Sequence, residues 1–184
     1  MKIIFIRHGK TLGNLEKRYI GRTDESLCDE GIKELNTIVY EKADVVISSP
    51  KKRCVQTAKI IYQDCSPVIY EDLKETDFGN FEGKNYLDLK DNLYYKKWID
   101  SNGTLPFPNG ESIKDFKSRT ITAFEKAVSD FNDKNTLAFV IHGGSIMAIM
   151  EYFNKGPFYD YHVKNGHGFI TDFNGEKIII ESEI

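Results

Sequence analysis

KIIFIRHG at residues 2–9 and LAFVIHGG at residues 137–144 are the two stretches that decide the fold of this chain. Each is a short apolar run of the length of a buried strand, and each ends in a histidine followed by a glycine. The apolar parts cover Lys2 to Ile6 and Leu137 to Ile141. We therefore predict two buried strands whose histidines, His8 and His142, emerge at the same edge of one sheet.

Strand and helix patterns alternate along the rest of the chain. Apolar residues recur at helical spacing in residues 29–41, 51–64, 84–101 and 111–131, and again after Gly144 through Tyr152. Further strands are predicted at residues 44–47 and 68–70, and a hairpin is predicted from residues 169–173 and 177–180 around Asn174-Gly175. This alternation predicts an α/β sandwich with a mostly parallel central sheet. In such sheets the ligand crevice lies beyond the carboxyl ends of the strands.

The composition excludes several classes of protein. The 184 residues carry a net charge of −3 and are 40% hydrophobic, which argues against disorder and against a general nucleic-acid binder. Three cysteines, Cys28, Cys54 and Cys65, exclude a disulfide framework or a zinc ribbon by their number and spacing. No apolar run is long enough for a signal peptide or a membrane span. We expect one cytoplasmic domain over residues 1–184, with residues 84–112 as a candidate for a small helical cap.

Cationic groups accompany the two strand-end histidines. Arg7 precedes His8, and Arg53 follows the second predicted strand. A guanidinium group offers a planar fork of donors that suits phosphate oxygens. Gly143-Gly144 at a predicted helix start adds backbone N–H groups and the positive end of the helix dipole. Together these groups predict a site for a tetrahedral dianion.

A carboxyl group is also available, because Glu75 and Asp77 lie in a polar loop after the third predicted strand. Expelling an alkoxide from a phosphate ester requires a proton, which a carboxylic acid with a raised pKa can donate. Histidine is an established type of covalent nucleophile, so the set predicts phosphoryl transfer to an imidazole. Taken singly, a strand-end histidine, an arginine at a helix start and a surface glutamate each have an ordinary structural explanation. Their arrival at one sheet edge favours the catalytic interpretation.

Five blocks of the sequence resemble, in the same order, those of the histidine phosphatase superfamily of phosphoglycerate-mutase-like proteins. They are RHGKT at 7–11 with Asn14, SSPKKRCVQTA at 48–58, LKETDFGNFEG at 73–83, NGES at 109–112 and VIHGG at 140–144. The resemblance runs from residue 3 to residue 148. It implies a three-layer α/β sandwich with a mixed, mostly parallel central sheet flanked by helices, and it implies no metal or organic cofactor.

The resemblance also assigns roles to single residues. It makes His8 the phosphorylated nucleophile and Glu75 the proton donor. It places in the phosphate pocket the side chains of Arg7, Asn14, Arg53 and His142, together with the backbone N–H of Gly143.

Three positions depart from the family pattern. Lys10 stands where relatives usually have Glu or Gln, and we expect it to add a positive charge near the pocket mouth. Ile141 replaces a small hydroxyl residue, and Met147 lies where many members carry arginine. None of the three removes a group needed for the chemistry.

The short chain and the DFG-x-x-EG motif at 77–83 resemble the phosphatase branch, which includes the α-ribazole phosphatases of cobalamin assembly. We expect a phosphomonoester hydrolase for a small-molecule phosphate, with α-ribazole 5′-phosphate as the first candidate and no nucleic-acid or membrane partner. A phosphoglycerate mutase and a broad-specificity sugar or glycerate phosphatase are alternatives. A non-catalytic phospho-ligand module is more remote, since it would be expected to lack His8 or Glu75. The oligomeric state is not predicted.

Specificity for the leaving group is expected from residues 84–112 and 153–168. Trp98, Phe107, Tyr86 and Tyr94 are candidates for an aromatic wall, although aromatic residues at helical spacing more often pack in a core. Candidates for contact with a second anionic group, with surface placement as the alternative, are His162, Lys164 and His167.

Overall fold

The computed structural model describes residues 1–63 and 65–184. At its centre is a six-stranded sheet with the strand order β3-β2-β4-β1-β5-β6. The strands are β1 (Lys2–Arg7), β2 (Val45–Ser48), β3 (Val68–Ile69), β4 (Thr136–Ile141), β5 (Gly168–Phe173) and β6 (Ile178–Glu183). Strands β1 to β4 pair in parallel, whereas β5 is antiparallel to both β1 and β6. The predicted α/β fold with a mixed, mostly parallel sheet is confirmed.

Helices connect the strands and cover the sheet. Those of the described residues are α1 (Leu12–Leu15), α2 (Asp29–Leu35), α3 (Lys52–Ile61), α4 (Tyr86–Leu89), α5 (Leu93–Asp100), α6 (Ile113–Asp130) and α7 (Gly143–Asn154). Short 3₁₀ turns cover Glu71–Leu73, Gly79–Phe81 and Phe158–Tyr161.

The side chains of the inner strands alternate between two apolar layers. On one face Phe5 and Phe139 pack with Phe124 of α6 and Phe153 of α7. On the other face Ile4, Ile6, Ala138 and Val140 pack with Cys54 and Ala58 of α3. Burial of one such large apolar side chain contributes roughly 1.5–3 kcal/mol to folding. Because both faces are covered, β1 and β4 read as continuous apolar runs, and their ends form a rigid edge.

Local hydrogen bonds explain where the elements differ from their predicted bounds. The helix predicted over 29–41 ends at Leu35, where the Asn36 side chain donates to the carbonyl of Ile32 at 2.8 Å and competes with the next helical bond. Val39, within the predicted helix but beyond its observed end, is 93% exposed. The helix predicted over 51–64 runs from Lys52 to Ile61, and Asp64 lies outside the described residues.

Residues 84–101 form two helices instead of one continuous helical segment. Asn85 and Asn92 each accept a hydrogen bond from the backbone N–H three residues later, which starts a new helix at both places. Together with the turn at Gly79–Phe81 and the loop that follows, the two helices bury a separate, mostly aromatic cluster of Phe81, Leu89, Tyr95, Trp98 and Phe107. This cluster lies outside the two layers that cover the sheet and forms one wall of the cavity described below.

None of the helices in the described part of the chain combines the length and the apolar character that a membrane crossing requires.

Candidate active site

His8 and His142 meet at the edge of the sheet, directly after β1 and β4. These strands are neighbours, with Arg7 opposite Ile141, so the residue that follows each strand lies beside the other. The two imidazole centroids are 5.3 Å apart with the rings at 68°, and the residues are 4% and 0% exposed. Parallel pairing in register therefore brings together two histidines separated by more than a hundred residues.

The ring of His8 is held in one tautomer by its own loop. Its Nδ1 lies 2.7 Å from the carbonyl oxygen of Gly9. A carbonyl only accepts, so in the neutral ring the proton is on Nδ1 and the lone pair is on Nε2. Burial, followed by the charges of Arg53 and Arg7, lowers the pKa of His8 well below its usual value. The ring is therefore neutral at neutral pH, and its free lone pair is on Nε2.

Two arginines lie near this ring, of which Arg53 is fully buried and Arg7 is partly exposed. Arg53 is fully buried and donates to the backbone carbonyls of Ile20, Gly21 and Thr23 at 2.8–3.3 Å. Arg7 donates to the carbonyl of Val163 at 2.8 Å. Within the described residues, neither guanidinium forms an ion pair, and the Nε–H of each is buried without a hydrogen-bond partner. An anion placed between two cations whose N–H groups lack partners would stabilise both, as the phosphate hypothesis requires.

His142 is positioned by two side chains that the sequence analysis did not single out. Its Nε2 lies 2.8 Å from the hydroxyl oxygen of Ser49 and 3.5 Å from the sulfur of Cys54. Burial raises the pKa of the Cys54 thiol to about 12, so this neighbour is uncharged. Burial also lowers the pKa of His142 well below its usual value. The SSP motif pointed to this turn, but no sequence signal showed that Ser49 faces the histidine.

Glu75 enters the same site from the loop after β3. The residue is partly buried, and the loss of solvent around its carboxyl group is the main cause that raises its pKa above the usual value for a glutamate. One carboxylate oxygen accepts from the Thr76 N–H at 2.9 Å. A Cβ on Gly144 would lie 2.6 Å from that same oxygen, so α7 approaches the carboxyl group this closely because residue 144 has no side chain. The structure thus places a protonatable carboxyl group next to the start of α7.

The other carboxyl candidate, Asp77, is used within its own loop. It accepts from the Gly79 N–H at 2.8 Å and pairs with Arg22 at 3.4 Å. It is not among the residues that line the cavity. Of the two carboxyl groups that the sequence offered, only Glu75 faces the site.

Asn14 and Gly143 carry neutral donor groups, and of the two only Gly143 is among the residues that line the cavity described below. The Oδ1 of Asn14 accepts from the Thr11 N–H at 3.1 Å and from Asn165 at 3.2 Å, which leaves the amide NH2 group of Asn14 as a donor. Gly143 is the first residue of α7, where backbone N–H groups are unsatisfied by the helix itself. A Cβ at residue 143 would lie 3.3 Å from the Nε of Arg7, so this helix start is close to the arginine.

Lys10 does not add a net charge at the pocket mouth as expected. Its ammonium group pairs with Glu30 at 2.7 Å and with Glu34 at 2.5 Å. Two carboxylates therefore more than offset the charge of the lysine. The side chain lies along a second, smaller cavity that is also lined by Lys164 and His167.

A cavity of about 870 Å³ opens from the part of the site at the sheet edge. At that end it is lined by Arg7, Glu75, Gly143 and Gly144. Its walls include the aromatic side chains of Tyr19, Phe78, Trp98, Phe107, Phe116, Phe158 and Tyr159. Of the four predicted wall residues, Trp98 and Phe107 lie on the cavity, whereas Tyr86 and Tyr94 are not among the lining residues.

Charged residues at the far end of the cavity escaped the sequence analysis. Lys114 and Lys117 of α6 and Glu151 of α7 line this end, whereas His162, which the sequence analysis did name, lines the cavity closer to Arg7. Lys114, Lys117 and Glu151 lie on helices whose apolar faces carried the signal, and a charge beside such a face is usually solvated. Among residues 1–63 and 65–184, no group of three or more His, Cys, Asp and Glu side chains is placed to hold a metal ion.

Comparison with known proteins gives the same result for family and fold. The family model for the histidine phosphatase superfamily (branch 1) matches residues 3–182. The adenosylcobalamin/α-ribazole phosphatase of Escherichia coli is 30% identical over 159 residues, which cover 82% of this chain and 77% of that protein. A putative phosphoserine phosphatase 2 of Hydrogenobacter thermophilus is 29% identical over 159 residues, covering 81% and 76%. The crystal structure of the α-ribazole phosphatase from Shigella flexneri superimposes with a TM-score of 0.84 at 25% identity, covering 98% and 95% of the two chains.

Proposed function

Since this chain belongs to the histidine phosphatase superfamily and is a phosphatase, we propose that it hydrolyses a small-molecule phosphomonoester through a phosphohistidine on His8. One observation carries the proposal: two buried imidazoles 5.3 Å apart lie close to the fully buried Arg53 and the partly exposed Arg7, and neither guanidinium group has an ion-pair partner among the described residues. Such a pocket is complementary to a phosphoryl group, whose charge it would balance.

The first half of the reaction would transfer the phosphoryl group to His8. Nε2 attacks phosphorus, the bond from phosphorus to the ester oxygen breaks, and the proton of Glu75 goes to the departing oxygen. The raised pKa of Glu75 supports this role, because it increases the protonated fraction of the carboxyl group. Arg7, Arg53, His142, Asn14 and the Gly143 N–H would hold the non-bridging oxygens.

The second half would regenerate the enzyme. A water molecule gives a proton to the Glu75 carboxylate and attacks phosphorus, the bond between Nε2 and phosphorus breaks, and inorganic phosphate leaves. Glu75 ends protonated and His8 ends neutral with its lone pair on Nε2, so atoms and charges balance over the cycle.

For the alcohol part of the substrate we propose a bulky aromatic group, with α-ribazole 5′-phosphate as the first candidate. The size of the cavity and its aromatic walls support a leaving group much larger than glycerate. The similarity to α-ribazole phosphatases supports the same choice. Residues 84–112 would act as the cap over this group within one catalytic domain of residues 1–184, since Trp98 and Phe107 line the cavity from that segment.

The test is a trapping experiment with ³²P-labelled substrate. We expect label on the protein that survives an alkaline quench, is lost in acid and is absent from His8→Ala. His167→Ala is the matched control, because His167 lies on the second cavity and bonds to the carbonyl of Ile184. Label retained by His8→Ala would overturn the assignment of the nucleophile.

A substrate panel then tests the alcohol part. We expect kcat/KM for α-ribazole 5′-phosphate to exceed that for phosphoglycerates, phosphoserine and sugar phosphates. Conversion of 3-phosphoglycerate to 2-phosphoglycerate without release of inorganic phosphate would indicate a mutase instead. Equal rates across the panel would indicate a broad-specificity phosphatase.

A further inference from the structure

An ion pair stands inside the cavity, on the side away from the phosphate site. Lys117 of α6 donates to the carboxylate of Glu151 of α7, and both residues line the cavity. Their side chains are 27% and 29% exposed, so solvent screens them less than it does a surface pair. The ammonium group of Lys117 also lies 4.7 Å from the ring centroid of Phe158. The ion pair therefore joins α6 to α7, and its ammonium group also contacts the aromatic wall.

Helix α7 starts beside the proposed phosphate site and therefore sets the distance from that site to the ion pair. Gly144, Met147 and Glu151 all line the cavity, and their spacing puts them along one face of α7. The seven residues from Gly144 to Glu151 correspond to about 10 Å of helix rise. A leaving group of one aromatic ring, bound with its phosphate beside Gly143, would extend its far substituent towards Glu151.

The two charges of the ion pair cancel, and Met147 beside it adds none. Lys114, which also lines the cavity, leaves one positive charge at this end, but this residue is exposed and solvent screens its charge. A carboxylate or a second phosphate on the leaving group would meet the Glu151 carboxylate and a lysine that is already paired. An uncharged substituent would meet neither penalty.

We propose that the Lys117–Glu151 pair is a specificity determinant that makes the enzyme select uncharged leaving groups and reject those with a second anionic group. The inference rests on the proposed phosphatase function and deepens it by naming the class of alcohol. In this proposal the carboxylate of Glu151 repels an anionic leaving group. Its ion pair with Lys117 keeps the ammonium group from binding that leaving group.

Two aryl phosphates of nearly equal shape test the proposal. One is 4-carboxyphenyl phosphate and the other is its uncharged analogue 4-carbamoylphenyl phosphate. The ratio of their kcat/KM values is measured in each variant, so that differences in intrinsic reactivity cancel. In Glu151→Gln we expect the carboxyl-to-carbamoyl ratio to rise about tenfold, since one negative charge is removed from a partly buried site near the substituent.

The partner residue gives an effect of opposite sign. In Lys117→Gln the carboxylate of Glu151 is left unpaired, and we expect the same ratio to fall about tenfold. Asp130→Asn is the matched control, because it breaks the exposed ion pair of Lys126 and Asp130 elsewhere on α6 and should leave the ratio unchanged. If both cavity variants lose thermal stability and leave the ratio at its original value, the pair only joins α6 to α7 and the proposal is wrong.

Phosphoserine separates a second interpretation, in which the pair binds an ammonium and a carboxylate together. If Glu151→Gln lowers kcat/KM for phosphoserine relative to both aryl phosphates, Glu151 attracts a cation and the proposal is overturned. None of these ratios depends on whether α-ribazole 5′-phosphate is the substrate. Failure on that compound with the predicted ratios intact would refute the first candidate and retain the specificity determinant.

Discussion

At the sheet edge, the groups that would bind phosphate are each held by a nearby backbone or side-chain partner. His8 is fixed by the Gly9 carbonyl, His142 by Ser49 and Arg53 by three carbonyls of one loop. At the other end of the cavity, near residues 84–112 and called the cap end below, the walls are aromatic side chains that pack on one another. The ring centroids of Phe78 and Phe107, for example, are 5.1 Å apart. Hydrogen bonds specify direction and apolar packing specifies mainly volume, so we expect the first end to determine the chemistry and the second to determine the alcohol.

The first way to break this comparison is to remove the acid from the sheet-edge end. We expect Glu75→Gln to lower kcat for an alkyl phosphate by roughly 10²–10⁴-fold, because an alkoxide leaves poorly without a proton. With 4-nitrophenyl phosphate the loss should be below about tenfold, since nitrophenolate needs little protonation. Steady-state kinetics on both substrates measures the difference. Equal losses would remove Glu75 from the role of acid.

The pH profile of the same variant sharpens the assignment. The lowered pKa of His8 means that activity should persist well below pH 6.5, because the ring stays neutral there. The pKa of Glu75 is raised and this group is the proposed acid, so activity should fall as the pH rises through its pKa and the carboxyl group loses its proton. The alkaline limb should disappear in Glu75→Gln and the acidic limb should remain. If the alkaline limb persists in Glu75→Gln, another titratable group causes it. The variant is needed because interacting groups titrate together, so that a limb of the wild-type profile belongs to the set of groups and not to one residue.

The sequence predicted the sheet-edge end far better than the cap end. Arg7, His8 and His142 follow apolar strands, and parallel pairing converts that position into proximity. Ser49, Lys117 and Glu151 could not be found in this way, because their roles depend on which face of a turn or a helix meets the cavity. Helical spacing identifies the apolar face of α6 but does not say which charged residue beside it is covered by a neighbouring segment.

A partly buried arginine connects the loop that carries Glu75 to α6. Arg119 of α6 donates to the backbone carbonyls of Asp72 and Lys74 at 2.7 Å and of Glu75 at 3.1 Å. It also pairs with Glu111 at 2.6 Å, and both side chains are less than one-fifth exposed. One guanidinium group thus holds the loop from which Glu75 enters the site.

We expect Arg119→Met to lower kcat for alkyl phosphates by about 10–100-fold with little change in KM, because the loop would no longer hold the acid in place. Arg119→Lys should recover only part of the loss, since an ammonium group cannot reach all the carbonyls. In the Glu75→Gln background the same substitution should cost almost nothing further. A full additional loss in the double variant would show that Arg119 acts on folding and not through Glu75.

A smaller effect is expected from the cap end. Tyr159 is 55% exposed and lines the cavity near Gly103, so its removal disturbs little of the core. We expect Tyr159→Ala to raise KM for a naphthyl phosphate by about threefold to tenfold, the size of one lost aromatic contact, and to leave kcat unchanged. KM for glycerol phosphate should not move. Equal effects on both substrates would mean that the wall does not contact the alcohol.

The smallest effect should come from Lys10, which is two residues from His8 in sequence and yet bound to two carboxylates outside the phosphate pocket. We expect Lys10→Met to change kcat/KM for 4-nitrophenyl phosphate and the inhibition constant of inorganic phosphate by less than about twofold, because a neutralised, partly exposed cation exerts little field at the pocket. Lys10→Arg, which keeps the charge, should behave like the wild type. If phosphate inhibits Lys10→Met ten times more weakly but inhibits Lys10→Arg normally, the charge of Lys10 acts on the bound phosphate. The groups that determine the chemistry would then extend beyond those held at the sheet edge.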